Sequence, residues 1–291
     1  MTSNSTSNTT SSTSGSLILV ATPIGNLGDI TQRAIETLQS ADVICCEDTR
    51  HSGNLLSHFG ITGKRLIVIN EHTEYDAREE IVELVIGGAN VALITDAGTP
   101  GISDPGERLV TAAIDAGLRV TAVPGPSALT MALVASGLPT SRFVFEGFLP
   151  RSGIERSERL AMITTEPRTV VLYEAPHRLA KTLSDLTVAC GAIRRVVLAR
   201  ELTKLHEEFW RGTLQDANLH VAKVEPRGEY VLIIEPARPP APPTDEELLA
   251  AIRAEIAKGV SRKDSAARVS ARFGVAKRTV YELALRVRDD Q

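Results

Sequence analysis

The sequence predicts an α/β protein with two α/β domains followed by a small helical unit. Short runs of Val, Ile and Leu alternate with amphipathic stretches in the first half of the chain, and strand-like runs become more closely spaced after residue 136. A proline-rich segment at 237–243 then precedes a region with helix-capping signals. Strands without polar alternation are typical of a parallel sheet covered on both faces, and alternating elements indicate a layered α/β architecture.

The first predicted domain, residues 16–136, has a parallel-rich sheet. Its predicted strands are 16–21, 43–46, 66–69, 91–95 and 120–123. Its predicted helices are 29–39, 49–58, 75–86, 105–116 and 127–136. Each apolar run is of strand length, and each intervening stretch has the spacing of an amphipathic helix.

The second predicted domain, residues 137–236, has a mixed sheet. Its predicted strands are 143–148, 169–173, 195–200, 207–211 and 230–235, with helices at 154–164 and 178–189. The close spacing of the strands around residues 198–210 favours antiparallel pairing, because parallel neighbours need a longer crossover.

A third unit, residues 244–291, is predicted to be helical and to resemble a helix-turn-helix. The proline-rich spacer at 237–243 favours a stiff, extended linker. Thr244 and Glu247 have the spacing of a capping box, which predicts a helix from Asp245. Two further helices, 262–273 and 276–286, are separated by a glycine-containing turn.

The composition excludes several classes of protein. Hydrophobic residues make up 43% of the 291 residues and charged residues 23%, and no apolar run approaches the roughly 20 residues of a membrane span. Residues 1–15 are rich in Ser, Thr and Asn, which predicts a disordered tail rather than a secretory signal. Cys45 and Cys46 end an apolar run, which favours buried thiols in a reducing, cytoplasmic compartment. No metal-ligand spacing is present, so no metal is expected.

Three Gly- and Pro-rich turns follow predicted strands of the first sheet. They are TPIGNLGD at 22–29, DAGTPGISDP at 96–105 and PGPSA at 124–128. Ligands of parallel sheets bind beyond the carboxyl ends of the strands, so the three turns predict one shared cleft. Glycine permits close approach of the backbone and proline stiffens a turn. Any single turn has the alternative interpretation of a tight strand-to-helix connection, and none is a phosphate loop or dinucleotide fingerprint.

These turns resemble those of the tetrapyrrole-methylase type (class III) of S-adenosylmethionine-dependent methyltransferase. Four further motifs resemble the ribosomal small-subunit RNA cytidine 2′-O-methyltransferases, namely EDTR at 47–50, FEGFLPR at 145–151, YEAPHR at 173–178 and RELTKLHEE at 200–208. The resemblance extends over roughly residues 17–235. Tetrapyrrole methylases typically open with G-x-G-P-G-D, whereas Ala21 and Pro23 replace the first two glycines here. That departure favours an RNA substrate over a tetrapyrrole.

The resemblance implies that S-adenosylmethionine binds between the two α/β domains. The cofactor residues that it implies are Pro23, Gly25, Asp96, Ala97, Gly98, Thr99, Ser103, Pro124, Gly125, Leu172 and Tyr173. Asp96 has the alternative role of a helix or turn cap. The resemblance also implies a homodimer and a target in 16S rRNA of the small ribosomal subunit, the 2′-hydroxyl of cytidine 1402 in the decoding region.

The chemistry of methyl transfer suggests a second set of residues. A sulfonium methyl is already a good electrophile, so the acceptor must be held in line with it, and a ribose hydroxyl benefits from a base or from oxyanion stabilisation. The candidates are Glu47, Asp48, Arg50 and Lys204. Alternatively, Glu47 and Asp48 cap the next helix, Arg50 is an ion-paired surface residue and Lys204 lies on a solvated strand edge. No single base is identified.

The last part of the chain is basic although the whole chain has a net charge of −4. Residues 258–288 contain nine Lys or Arg and two acidic residues, which is typical of nucleic-acid binding but also of a solvated helical cap. The predicted RNA contacts are Arg151, Arg178, Lys263, Lys277 and Arg278. Two other functions stay open: a methyltransferase acting on a tetrapyrrole-like small molecule, and a ligand-sensing DNA-binding regulator.

Overall fold

The computed structural model describes residues 15–70, 72–238 and 242–287. The tail predicted at 1–15 therefore lies outside the described residues except for Gly15, and so does part of the proline-rich spacer. Contacts between residues divide the chain into two compact units, an α/β body that ends at Ala237 and a C-terminal unit that begins at Arg238. The boundary predicted between residues 136 and 137 falls inside the body, and both sheets belong to that unit.

The first sheet contains five parallel strands in the order β3-β2-β4-β1-β5. The strands are β1 Ser16–Val20, β2 Val43–Cys46, β3 Arg65–Val68, β4 Val91–Leu93 and β5 Arg119–Val123. The helices are α1 Gln32–Ser40, α2 Thr49–His58, α3 Glu74–Ile86, α4 Glu107–Asp115 and α5 Ala128–Ser136. Apolar clusters cover both faces of this sheet, which explains why its strands lack polar alternation.

The second sheet is mixed, as predicted, in the order β6-β7-β10-β8-β9. Its strands are β6 Phe143–Phe148, β7 Thr169–Glu174, β8 Arg195–Arg200, β9 Glu208–Thr213 and β10 Tyr230–Ile234. Its helices are α6 Gly153–Thr165, α7 Pro176–Cys190 and α8 Leu214–Lys223. Only β6 and β7 are parallel neighbours, and the other pairs are antiparallel.

Two of the differences from the sequence-based prediction concern the helices α1 and α8. Helix α1 begins at Gln32 rather than at residue 29, because the Thr31 side chain accepts a hydrogen bond from Ala34 N and caps the helix there. Helix α8 was not predicted. It fully buries only Leu214 and Ala217, so its apolar periodicity is weak, and its start is set by a capping box between Thr213 and Asp216.

Helix α5 connects the two sheets. Ala132 and Leu133 of α5 belong to an apolar cluster with Val171 of β7 and Val231 of β10. Ile24, from the turn after β1, joins the same cluster. The opposite face of the second sheet packs against α6, α7 and α8 in a separate cluster. The turns of the first sheet therefore face the inner surface of the second.

The C-terminal unit contains three helices, α9 Asp245–Ile256, α10 Arg262–Phe273 and α11 Lys277–Ala284. The predicted capping box of Thr244 and Glu247 is present. Helix α10 ends at Gly274, which adopts the left-handed conformation expected of a helix C-terminus. The helices bury an apolar core of their own around Ile252, Val269 and Val280.

Candidate functional site

The three Gly- and Pro-rich turns meet because the strands that precede them are neighbours. Strand β1 lies between β4 and β5, so the turns after all three leave the same edge of the sheet side by side. Thr22 and Gly98 pair through two backbone hydrogen bonds, with N···O distances of 2.8 and 3.1 Å. The hydroxyl of Thr99 donates to the carbonyl of Pro126 at 3.2 Å, which joins the second turn to the third. The predicted convergence of the turns is confirmed.

These turns form one wall of a cavity of about 330 Å³, and the second sheet forms the other wall. The first wall includes Ala97, Gly98, Thr99, Ser103 and Asp104. The second includes Phe148, Tyr173, Glu174, Glu229 and Tyr230. The lining is mostly apolar with a few polar groups, which is typical of sites for small molecules and cofactors.

The predicted cofactor residues have different positions relative to this cavity. Ala97, Gly98, Thr99, Ser103 and Tyr173 line it. Pro23, Gly25, Pro124 and Gly125 lie in the turns behind the wall, where a Cβ on Gly125 would be only 2.9 Å from the Cβ of Ala21. The Leu172 side chain is buried in the core on the far side of the second sheet, so any contact from this residue would come from its backbone.

The turn after β4 is held in an unusual backbone conformation. Gly98 and Gly101 have φ angles of +84° and +81°, and Ser103 has a φ of +59°, which non-glycine residues rarely adopt. Buried Glu74 fixes the end of this turn by accepting hydrogen bonds from Gly106 N and Leu109 N, both at 3.1 Å. Strained backbone that is held by its surroundings is common at functional sites.

Three carboxylates lie close together at this edge of the first sheet, beside the cavity. Asp104 lines the cavity, and Glu47 and Asp96 follow the neighbouring strands β2 and β4. Burial raises the pKa of Asp104 to about 7, and the negative charges of Glu47 and Asp96 add to that effect. One carboxylate oxygen of Asp96, Oδ1, is buried without a hydrogen-bond partner in the described part of the chain. Such an orphaned acceptor suits a ligand that donates a hydrogen bond.

Two aromatic residues line the second wall. The Tyr173 hydroxyl accepts a hydrogen bond from Leu129 N at 3.2 Å, which ties β7 to the start of α5. Its ring contacts Phe148 edge to face, with centroids 5.6 Å apart. Burial raises the pKa of Tyr173, so this hydroxyl stays protonated at neutral pH. Phe148 is half exposed, which leaves an aromatic face open beside the cavity.

Lys204 lies against the opening turn of the chain. A Cβ on Gly25 would be 2.4 Å from Cγ of Lys204, so only glycine fits there without a shift. The ammonium of Lys204 is 3.0 Å from Glu201 Oε1 and 2.9 Å from Glu229 Oε2. Partial burial acts to lower the pKa of Lys204, but the hydrogen bonds and charges of Glu229 and Glu201 hold it above its ordinary value. Lys204 is therefore a cation beside the cavity wall, and neither a free base nor a solvated edge residue.

The other predicted catalytic residues have structural contacts. Asp48 caps α2 by accepting hydrogen bonds from the backbone N–H groups of Arg50 and His51 at 2.7 and 3.4 Å. Hydrogen bonds from the backbone and side chain of Arg50 hold the pKa of Asp48 below its usual range. The Arg50 side chain is 90% exposed and 3.3 Å from Asp48. Their alternative roles as a helix cap and an ion-paired surface residue are thus observed.

The predicted RNA contacts fall into two groups. Arg151 and Arg178 line a second, basic cavity. Lys263, Lys277 and Arg278 are exposed residues of the C-terminal unit. No cluster of three or more His, Cys, Asp or Glu residues suited to a metal ion occurs among the described residues. Within the same part of the chain, no helix combines the length and apolarity needed to cross a bilayer.

The chain is similar to known proteins over most of its length. The family profile described as Tetrapyrrole (Corrin/Porphyrin) Methylases matches residues 16–218. A curated relative from Synechocystis sp., named ribosomal RNA small subunit methyltransferase I, is 47% identical over 95% of this chain and 99% of its own. The protein of the same name from Escherichia coli O157:H7 is 45% identical over 93% and 95%. The chain belongs to the ribosomal RNA small subunit methyltransferase I family of tetrapyrrole methylases.

The family match also covers most of the cavity. Every lining residue except Glu229, Tyr230 and Val231 falls within the matched span. The structure of uroporphyrin-III C-methyltransferase from Thermus thermophilus in complex with S-adenosyl homocysteine superposes with a TM-score of 0.52 at 19% identity, over 76% of this chain and 97% of that one. This likeness shows a shared fold. Because the body ends at residue 237 of 291, the 95% alignment with the Synechocystis relative extends into the C-terminal helices.

Several lining residues were not among the predicted site residues, and they include Asp104, Phe148 and Glu229. Asp104 belongs to the quoted turn at 96–105, and its position after a predicted strand was a signal that pointed to it. Phe148 ends a predicted strand and offered a similar signal. Glu229 directly precedes β10, and it reaches the cavity because β10 runs antiparallel to β7 and β8. Local sequence carries no indication of that pairing.

Proposed function

We propose that this protein transfers a methyl group from S-adenosylmethionine to the ribose 2′-hydroxyl of a cytidine in the decoding region of 16S rRNA, on the assembled small ribosomal subunit. The target expected from the family resemblance is cytidine 1402. Membership of the ribosomal RNA small subunit methyltransferase I family supports the substrate class. The shared cavity between the two sheets is the observation that carries the proposal.

The residues around the cavity fit the methyl donor. The apolar lining suits the adenine ring and the carbon chain, and the unpartnered Oδ1 of Asp96 is an acceptor for a hydroxyl or ammonium of the ligand. The backbone around Gly98 and Thr99 is open to close approach, because Gly98 has no side chain to obstruct it. When bound, the cofactor supplies a sulfonium methyl group that is electrophilic without further activation.

The acceptor hydroxyl needs a group that holds or removes its proton. Asp104 lines the cavity and has a pKa of about 7, which is close to the value that makes a general base efficient at neutral pH. We assign this role to Asp104, whose pKa is raised by burial and, to a smaller extent, by the negative charges of Glu47 and Asp96. The protonated Tyr173 hydroxyl already interacts with Leu129 N and contributes to orientation rather than to proton removal. Lys204 provides positive charge beside the wall.

The proposed function is tested with the methyl-labelled cofactor and three acceptors. The full-length protein is incubated with small subunits from a strain that lacks this family's enzyme, with naked 16S rRNA, or with a uroporphyrinogen-type tetrapyrrole. The expected product is 2′-O-methylcytidine, recovered after nuclease digestion from subunits and not from the other two. A labelled tetrapyrrole would instead establish the small-molecule function. Absence of transfer, together with tight binding to DNA, would favour the regulator.

A homodimer is also part of the proposal, and it rests on the family resemblance alone. Sedimentation equilibrium of the full-length protein measures it directly. A single species of twice the chain mass of 31.3 kDa is expected. A monomer at the concentrations at which methyl transfer proceeds would contradict it.

A further inference from the structure

A second cavity of about 300 Å³ has a basic lining. Its lining residues are Arg151, Arg156, His177, Arg178, Lys181 and Thr182. Four of these side chains carry a permanent positive charge, and no acidic residue lines the opening. A concave surface with this lining attracts an anion.

Two of the four cations are neutralised by buried or partly buried carboxylates. Arg156 is almost fully buried, and its Nε and Nη2 atoms donate to Asp185 at 2.9 and 2.8 Å. Arg178 Nε is 3.2 Å from Glu174 Oε1, and the Glu174 side chain is only 1% exposed. These two pairs build the floor of the cavity, and they add little net charge.

The other two cations have no such partner. Within the described residues, the Arg151 guanidinium makes no hydrogen bond or ion pair with another side chain. The Lys181 ammonium has a single long contact, 3.4 Å from the carbonyl oxygen of Arg151. The opening therefore retains two uncompensated positive charges on a floor that is already organised by hydrogen bonds. Arg and Lys in this arrangement are typical of phosphate recognition.

Residues that line the basic cavity are close neighbours in the chain of residues that line the main cavity, and this occurs at two places. Pro176 lines the main cavity, and His177 and Arg178, which follow it, line the basic one. Phe148 lines the main cavity, and Arg151 follows three residues later, a distance of at most about 10 Å along the chain. A nucleotide whose ribose enters the main cavity therefore has its neighbouring phosphate within reach of the basic one.

We propose that the basic cavity binds a backbone phosphate of the RNA acceptor next to the methylated nucleotide. This inference rests on the proposed function, because it assumes that the acceptor is RNA. Arg151 and Lys181 contact the phosphate, and Arg156 and Arg178 hold the floor. Phosphate contacts of this kind fix the register of an RNA without reading its sequence. The carboxylate of the methyl donor is the competing anion, and the experiment separates the two.

The test compares two double variants of the full-length protein. Arg151→Ala/Lys181→Ala removes the uncompensated charges, and Arg33→Ala/Lys223→Ala removes one Arg and one Lys that are exposed and line neither cavity. Binding of a fluorescein-labelled single-stranded RNA that spans the target cytidine is measured at several salt concentrations, and cofactor binding is measured by calorimetry. The first variant should bind the RNA roughly tenfold more weakly, with a salt slope smaller by about 1. The control should match the wild type, and both variants should bind the cofactor normally.

A second RNA tests whether Arg151 and Lys181 act on the phosphate beside the target cytidine. It carries an uncharged methylphosphonate in place of the phosphodiester beside the target cytidine. The wild type should lose affinity for this RNA, whereas Arg151→Ala/Lys181→Ala should not discriminate between the two RNAs. Equal RNA affinity of the two double variants would overturn the proposal. Weaker cofactor binding by the first variant would also overturn it, because the cavity would then serve the donor carboxylate. The binding measurements do not require methyl transfer. If the wild type distinguishes the two RNAs, the double variant does not, and no methyl group is transferred, only the proposed function is contradicted.

Discussion

The chemistry of the Asp104 side chain depends strongly on its surroundings. An aspartate in water is ionised well below neutral pH, but burial beside two other carboxylates raises the pKa of Asp104 to about 7. The group therefore changes its protonation state in the range in which an acid or base is useful. A position in the cavity wall and a pKa near neutrality together make it the candidate base.

Replacement of Asp104 by Asn should lower kcat for methyl transfer by about 10²- to 10⁴-fold, because the amide cannot accept the hydroxyl proton. Cofactor affinity should change little. In the wild type, kcat should rise with pH through about 7 as the carboxylate ionises. Single-turnover rates on small subunits between pH 5.5 and pH 9 measure both effects. An Asp104→Asn variant that retains wild-type rates and pH dependence would remove Asp104 from the mechanism.

The same pKa predicts a change in stability. The pKa of Asp104 is higher in the folded state than in the unfolded chain, so the folded state binds the proton more tightly. The resulting stabilisation is complete below the unfolded pKa, near 4, and is lost as the pH rises through about 7. Asp104→Asn should therefore raise Tm at pH 8 by a few degrees relative to the wild type, and the difference should shrink at pH 5. Thermal unfolding at the two pH values tests this, and a constant difference would contradict it.

Gly98 offers a test of the cofactor site itself. Its Cβ would be 3.4 Å from Ile24 Cγ2, and its φ of +84° disfavours any side chain. Gly98→Val should abolish cofactor binding, because the branched side chain would occupy the cavity wall. Gly117→Val is the matched control, since Gly117 has a φ of +70° and open space around it, and does not line the cavity. Calorimetry should show normal cofactor affinity for the control, whereas unchanged affinity of Gly98→Val would exclude this site.

At the level of elements, the turn between β4 and α4 depends on a side chain from α3. Glu74 accepts hydrogen bonds from the N–H groups of Gly106 and Leu109, which lie at the start of α4 where backbone donors have no partner within the helix. This bond fixes the end of the segment that contains Ser103 and Asp104. The geometry of the cavity wall is thus determined partly by a residue that does not line it.

Glu74→Ala should destabilise the protein by about 2 kcal/mol, because two buried donors lose their acceptor. It should also weaken cofactor binding through the loosened turn. Glu79→Ala, an exposed change on the same helix, should have almost no effect. Urea denaturation and calorimetry of the two variants give the comparison. Equal stability of the two variants would show that the cap is unimportant.

At the level of the whole molecule, one segment of the C-terminal unit has an excess of positive charge. Nine Lys or Arg and two acidic residues occur between 258 and 288, on a chain whose net charge is −4. The three helices of this unit have their own apolar core. None of the residues in this core belongs to the apolar clusters of the body. This arrangement suits a module that contributes electrostatic attraction to RNA.

Deletion of residues 244–291 should weaken binding to small subunits by at least tenfold and flatten its salt dependence, because fewer phosphates are neutralised. Cofactor affinity should be unchanged. Filter binding across a range of salt concentrations measures the first effect and calorimetry the second. In the full-length chain, Lys263→Glu/Lys277→Glu/Arg278→Glu should reproduce the loss. Wild-type activity of the truncated protein on subunits would contradict a docking role.

The sequence by itself determined the α/β class, most element positions and the convergence of the three turns, because these depend on local periodicity and on general rules for parallel sheets. Gly98, Thr99 and Ser103 lie in one of these turns, and the family resemblance implied them as cofactor residues. The motif at 47–50 follows β2 at the same edge of the first sheet, and Asp48 serves there as a helix cap.

Only the tertiary structure decided which charges are free and which are paired. Glu229 reaches the cavity through antiparallel pairing of β10, and Lys204 reaches Gly25 across a long sequence separation. The raised pKa of Asp104 results from burial and from carboxylates on other strands. In the basic cavity, Arg156 and Arg178 are neutralised whereas Arg151 and Lys181 are not. Such properties depend on contacts between distant residues, and local sequence patterns do not encode them.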